Sequence, residues 1–409
     1  MPEPLLVDLA EEVNAFWRSP EMDRRKSLWV KLFRGERPAK PPVKVAPFMT
    51  WGYDLVWQRL IGEDRFRFKS GLARHLEVQL RKKLYKFGNF RDDDVVAPTV
   101  WVPAKEVTPA DAMWGVQIRR THPDEVGGAY KPVPVIVEES DLDRITLPHF
   151  ERDRAADEAA IEEARELVDD RVPVKCYNRR ISYAPYEVAV LLRGAEPLLY
   201  DVYDRPAFVH RLMDRLTDGM VQHEKEREAA GAFDVEEGTL LHEPWDVFPE
   251  GREQELAAAW VYLSAQSAAP LGPEMFAEFV QPYIDRLARL FAKVYYHGCE
   301  DLGRKIATLR DTPNLRHFHV SPWTALADVV PQLRGRKVAM EVHAHPTNVL
   351  FVWGEREIRA EARRRMDEAE DLPFDYVLCD LQTIDGADGK LELWCDVAME
   401  ESAQTGRAS

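Results

Sequence analysis

The feature that most constrains the fold lies in the second half of the chain, where the hydrophobic pattern switches repeatedly between periods of two and of about 3.6. Strand-like runs AKVYYHGC, LRHFHVSPW, KVAMEVHAHP and YVLCDLQTI are separated by the helical segments DLGRKIATLRD, TALADVVPQLR and EREIRAEARRRMDEAE. Connections between these units are only a few residues long, so each helix must carry the chain back across the sheet and the strands must be parallel. Over 409 residues this alternation fits an eight-stranded (β/α)8 TIM barrel better than an open sheet.

The first half shows the same pattern loosely. Residues 1–35 read as helix and lead into Pro-rich GERPAKPPVK, which gives an N-terminal helical extension over 1–40 and a barrel over 41–409. The first strand is expected from Val43 to Trp51. Further β character lies at DDDVVAPTVWVPA and VPVKCYNRRISYAP, with an exposed helix at 151–169 between them and helices from YEVAVLLRGAEPLLYDVY through RPAFVHRLMDRLTDGMVQHEKEREAAG. FAEFVQPYIDRLARLF reads as one amphipathic helix, and AAAWVYLSAQSA is ambiguous between helix and strand.

Composition narrows the functional classes. Asp and Glu outnumber Lys and Arg by 71 to 55, a net charge of −16, which repels nucleic acid. No apolar stretch approaches the roughly 20 residues of a membrane span, and the N-terminus lacks the basic-then-apolar pattern of a secretion signal. A soluble, cytoplasmic protein is expected, with its four cysteines, Cys176, Cys299, Cys379 and Cys395, reduced. Cys176 and Cys395 read as small buried hydrophobes.

YYHGCEDL places His297 two residues before Cys299 at the end of an apolar run. If the strand continues that far, the two side chains share a face. Imidazole nitrogen and thiolate sulfur are both zinc donors, and Cys379 ends another strand-like run 80 residues later. Three such donors would leave a fourth position open, as in catalytic zinc sites. Core packing remains the competing explanation for His297 and Cys299. Glu341, His343 and His345 alternate with apolar residues in MEVHAH, as do His317 and His319 in RHFHV. Each histidine alone suits a hydrogen-bonded structural role; together they suggest a polar pocket where aliphatic side chains are usual. Gln266, Ser267, His242 and Glu243 are further pocket candidates. No G-x-S-x-G elbow, Walker loop or G-x-G-x-x-G occurs.

These residues also carry a resemblance. From VPVKCYNRRISYAPYEVAVLLRGAEPLLYDVY through AQSAAPLGPEMFAEFVQPYIDRL to the C-terminus, the chain resembles the uroporphyrinogen decarboxylase superfamily, nearest in its metal motif to the zinc- and cobalamin-dependent methyltransferases. The resemblance implies a (β/α)8 barrel with zinc on His297, Cys299 and Cys379, and methyl transfer between a small thiol, methoxy or methylamine compound and a corrinoid such as methylcobalamin, free or on a corrinoid protein. Glu341, His343 and His345 are then expected to orient substrate or move protons, and Gln266 and His319 to contact it. The Arg-rich porphyrin-carboxylate motif is missing from RGERPAKPPVKVAPFMTW, which argues against tetrapyrrole decarboxylation. A lyase acting on another carboxylated substrate and a non-catalytic corrinoid- or tetrapyrrole-binding module are the alternatives.

Overall fold

The structure is a computed structural model that describes residues 1–46, 54–121, 131–178, 180–181, 184–240, 243–369 and 372–405. Ten strands occur among these residues: β1 (Val43–Val45), β2 (Val100–Pro103), β3 (Arg119–Thr121), β4 (Lys131–Val133), β5 (Val174–Tyr177), β6 (Trp260–Leu263), β7 (Lys293–Tyr296), β8 (Leu315–Val320), β9 (Ala339–His343) and β10 (Phe374–Leu378). Six form one parallel sheet in the order β1-β10-β9-β8-β7-β6, so the first strand lies beside the last. β2 and β5 form a separate parallel pair, and β3 and β4 an antiparallel one.

The expected helix-strand alternation explains the sheet. From β6 to β10 the neighbours in the sheet are neighbours in sequence, each pair bridged by helical chain that cannot fold back as a tight hairpin. On the outward face, Val294, Tyr296, Phe318, Val320, Met340, Val342, Tyr376 and Leu378 join one apolar core with helix residues such as Ile284, Val329, Met366 and Trp394. Each such side chain contributes roughly 1.5–3 kcal/mol when fully buried.

Several boundaries differ from expectation. The N-terminal extension is two helices, Pro4–Trp17 and Pro20–Phe33, the second capped by the Ser19 hydroxyl accepting from Met22 N–H at 3.2 Å. The first strand covers only Val43–Val45; residues 47–53 lie outside the described residues. FAEFVQPYIDRLARLF divides into Pro273–Phe279 and Gln281–Ala288, because Pro282 has no N–H to donate and its ring clashes with the preceding turn. AAAWVYLSA resolves as strand β6, and DLGRKIATLRD forms only the short helix Ile306–Leu309.

The N-terminal extension closes one end of the sheet's inner face. Met22, Trp29, Leu32 and Phe33 cluster with Trp260, Tyr262, Tyr295 and Ala339. Phe33 meets Trp260 and His317 edge-on, at 4.9 and 5.2 Å between ring centroids.

A candidate metal centre on the inner face of the sheet

Parallel pairing places partner residues of adjacent strands side by side on one face. The register aligns Tyr262, Tyr295, His317 and Ala339 in one row across β6 to β9. His319, Glu341 and Asp375 form the next row, and His343, Val377 and Lys44 the row beyond. The inner face therefore carries ionisable groups where the outer face is apolar.

Glu341 is the centre of this arrangement. Its Oε1 accepts from the Tyr295 hydroxyl at 2.7 Å and is hydrogen-bonded to His343 Nε2. His319 Nδ1 lies 3.7 Å from the same oxygen, and His317 Nδ1 lies 3.9 Å from Oε2. On its far side His317 Nε2 bonds Asp375 Oδ1 at 2.7 Å. The His319 ring packs 4.0 Å from both His297 and His343, centroid to centroid, and the Tyr262 hydroxyl is 3.1 Å from His297 Nδ1.

Two groupings bring three donor atoms within 4.8 Å of one another: His319 with Glu341 and His343, and His317 with Glu341 and Asp375. Donors around a tetrahedral ion sit roughly 3.3–3.8 Å apart, so small side-chain rotations would close either set. His319 is fully buried, and neither of its ring nitrogens has a hydrogen bond among the described residues. Leaving a buried polar group unsatisfied costs about 1–3 kcal/mol. Burial, then the neighbouring His343, lowers the His319 pKa to about 3, which keeps its ring neutral, the form that binds metals. Burial pushes Glu341 up, but the neighbouring His343 and His319 rings outweigh it and hold the carboxyl well below its ordinary range.

The sulfur donors stand differently. β7 ends at Tyr296, and although His297 N–H still donates to Leu263 O at 2.9 Å, Cys299 lies beyond the ladder. Its Sγ is 3.6 Å from Asp380 Oδ2. Cys379 follows directly after β10, buried, and shares a cavity of about 110 Å³ with His297, Glu341, Tyr295, Lys44 and Lys83. Burial and then Asp380 push both thiols up. His297, Cys299 and Cys379 thus approach one end of the inner face, but they do not form a grouping as close as the two around Glu341.

Of the other expected residues, Glu341, His343 and His319 adjoin one another at the centre. His345 lies past the end of β9, where Pro346 begins the helix Pro346–Phe351; its Nδ1 caps that helix by accepting from Asn348 N–H at 3.4 Å. Gln266 is exposed at the start of a 3-10 turn, and Ser267 donates to Glu187. His242 lies outside the described residues; Glu243 is buried in an ion pair with Arg180. Tyr295 and Asp375 were not among the expected residues. Extending the two-residue period back from His297 and from Cys379 would have found both.

No model of a known protein family matches the chain, and no curated protein matches it. Among solved structures the chain is similar to a methyltransferase from Methanosarcina mazei, with a TM-score of 0.56 and 14% sequence identity, over 93% of this chain and 98% of that one. Likeness at this identity is one of fold alone, and it extends over nearly the whole length of both chains.

Proposed function

We propose that the protein is a metal-dependent methyltransferase that moves a methyl group between a small thiol, methoxy or methylamine compound and a corrinoid cofactor or corrinoid protein. The observation that carries this reading is the gathering of imidazoles and one carboxylate along parallel strands that share their fold with a methyltransferase. In this reading β1, β2 and β5 to β10 are the eight strands of a closed barrel, preceded by a helical extension over 1–40, and the site lies toward their C-terminal ends, where barrel enzymes place their chemistry.

A zinc ion, when bound, would supply Lewis acidity, favouring the thiolate form of a sulfur substrate or polarising a methoxy oxygen. The protein's own groups do the remaining work. Glu341, held ionised and fixed by the Tyr295 hydroxyl, anchors the cationic side of the site, and His343 Nε2 is hydrogen-bonded to it. His297 and Cys379 line the cavity wall that the substrate meets. Apolar packing by Phe33 and Trp260 beneath the inner row keeps water from entering that end.

A second reading, a lyase acting on a carboxylated substrate, is favoured by Lys44, Lys83 and Lys86 on the same cavity wall, where burial brings Lys83 down to about 8. One incubation separates the two: metal-loaded protein, methylcobalamin and a panel of thiols, followed by absorbance. Thiol-dependent loss of the methylcorrinoid spectrum and recovery of the methylated thiol are expected. An unchanged spectrum with every acceptor, and no demethylation of methoxy or methylamine donors in the reverse direction, overturns methyl transfer. Release of CO2 from a carboxylated substrate would favour the lyase, and tight corrinoid binding without turnover a binding module.

A further inference from the structure

We propose that the protein's cation site is sulfur-free: a divalent first-row transition ion is held by His319, Glu341 and His343, and neither Cys299 nor Cys379 is needed to bind it. The inference rests on the metal dependence proposed above and not on methyl transfer.

Three observations carry it. First, these residues place donor atoms within 4.8 Å of one another on adjacent strands β8 and β9, so the sheet itself sets their spacing, whereas Cys299 lies on a loop beyond β7 with its sulfur against Asp380. Second, His319 is fully buried with both ring nitrogens unbonded among the described residues, and a bound cation would satisfy the one that carries the lone pair. Third, the carboxylate has its supporting partners in place: Tyr295 donates to Oε1 at 2.7 Å, and behind Oε2 stands His317, itself fixed by Asp375 at 2.7 Å. Outer hydrogen bonds of this kind orient metal ligands.

The competing group, His317 with Glu341 and Asp375, is less suited. An ion would have to replace one His–carboxylate hydrogen bond in either group, but His317 and Asp375 have no exposure and line no part of the cavity. Two imidazoles and one carboxylate instead leave positions open toward the cavity that Glu341 lines, the ligand count of catalytic zinc and of non-haem iron(II) sites.

The test needs no activity measurement. Metal-free full-length protein is titrated with Zn2+ and with Co2+, whose absorption reports its ligands. About one ion per chain is expected, with ligand-field bands in the visible but without the intense near-ultraviolet absorption of a cobalt–thiolate bond. Glu341→Gln and His343→Asn, checked for folding by circular dichroism, should weaken binding by roughly 100-fold, while Cys299→Ser and Cys379→Ser bind as the parent does. A thiolate band in the parent protein, loss of the ion in either serine variant, or failure of the parent to bind either metal overturns the inference. Methyl transfer by a thiolate-ligated protein would spare the proposed function and sink this site; metal binding at the triad without methyl transfer would do the reverse.

Discussion

At the residue scale, buried charge works only where it is paired, and the long helix Pro206–Ala229 shows how. Glu224 is buried, which pushes its carboxyl up, yet Arg227 at 2.6 Å outweighs burial and lowers its pKa from 4.5 to about 2. Between these values the unfolded chain binds a proton that the folded protein does not, so stability rises with pH across that window. The contribution is complete above pH 4.5 and is lost as the pH falls toward 2. Glu224→Gln should therefore lower the melting temperature at neutral pH and flatten its fall over that acid limb, measured by thermal melts at closely spaced pH values. The same scale shows what was legible in the sequence of the candidate site. Two-residue alternation picked out His319, Glu341 and His343 because a parallel register converts that period directly into a shared face. It misjudged the surroundings of Cys299 and His345 because the period ends with the strand, at Tyr296 and His343, and an overshoot of two or three residues leaves no mark in composition.

At the scale of elements, packing overrides propensity. Gly219 sits inside the helix Pro206–Ala229, where exchange for alanine would ordinarily stabilise by up to about 1 kcal/mol. A Cβ there would lie 2.6 Å from Pro148 Cδ and from the Trp114 ring, and Trp114 is buried in the core. Gly219→Ala should consequently destabilise by about 1–3 kcal/mol, read from urea unfolding midpoints at constant m-value. Neither partner is near Gly219 in sequence, so the clash has no local signature. The break at Pro282 had one, since proline inside a helical period is itself the signal, and reading through it merged two helices into one. Helix Lys390–Thr405 is poorly marked in sequence for a related reason: Leu391, Trp394, Cys395, Val397, Ala398 and the charged Glu401 are all buried, so no clean polar face appears.

At the scale of the whole molecule, helix Lys390–Thr405 ties β10 to the segment that leads into β1. Trp394 packs on Tyr376 of β10, with centroids 5.3 Å apart; Arg359 and Arg363 both reach Glu401 at 3.0 Å; and the Ser402 hydroxyl donates to Pro41 O at 2.5 Å, just before β1. Ending the chain at residue 389 should abolish cooperative unfolding, seen as a broadened denaturant transition with dye binding to exposed apolar surface. The adjacency of β1 and β10 has a temporal consequence. During synthesis Val43 emerges roughly 330 residues before Phe374, which at 5–20 residues per second is on the order of 15–70 s. Throughout that interval the edge of β1 that pairs with β10 lacks its partner. The row of His319, Glu341 and Asp375 is therefore complete only after translation has nearly finished.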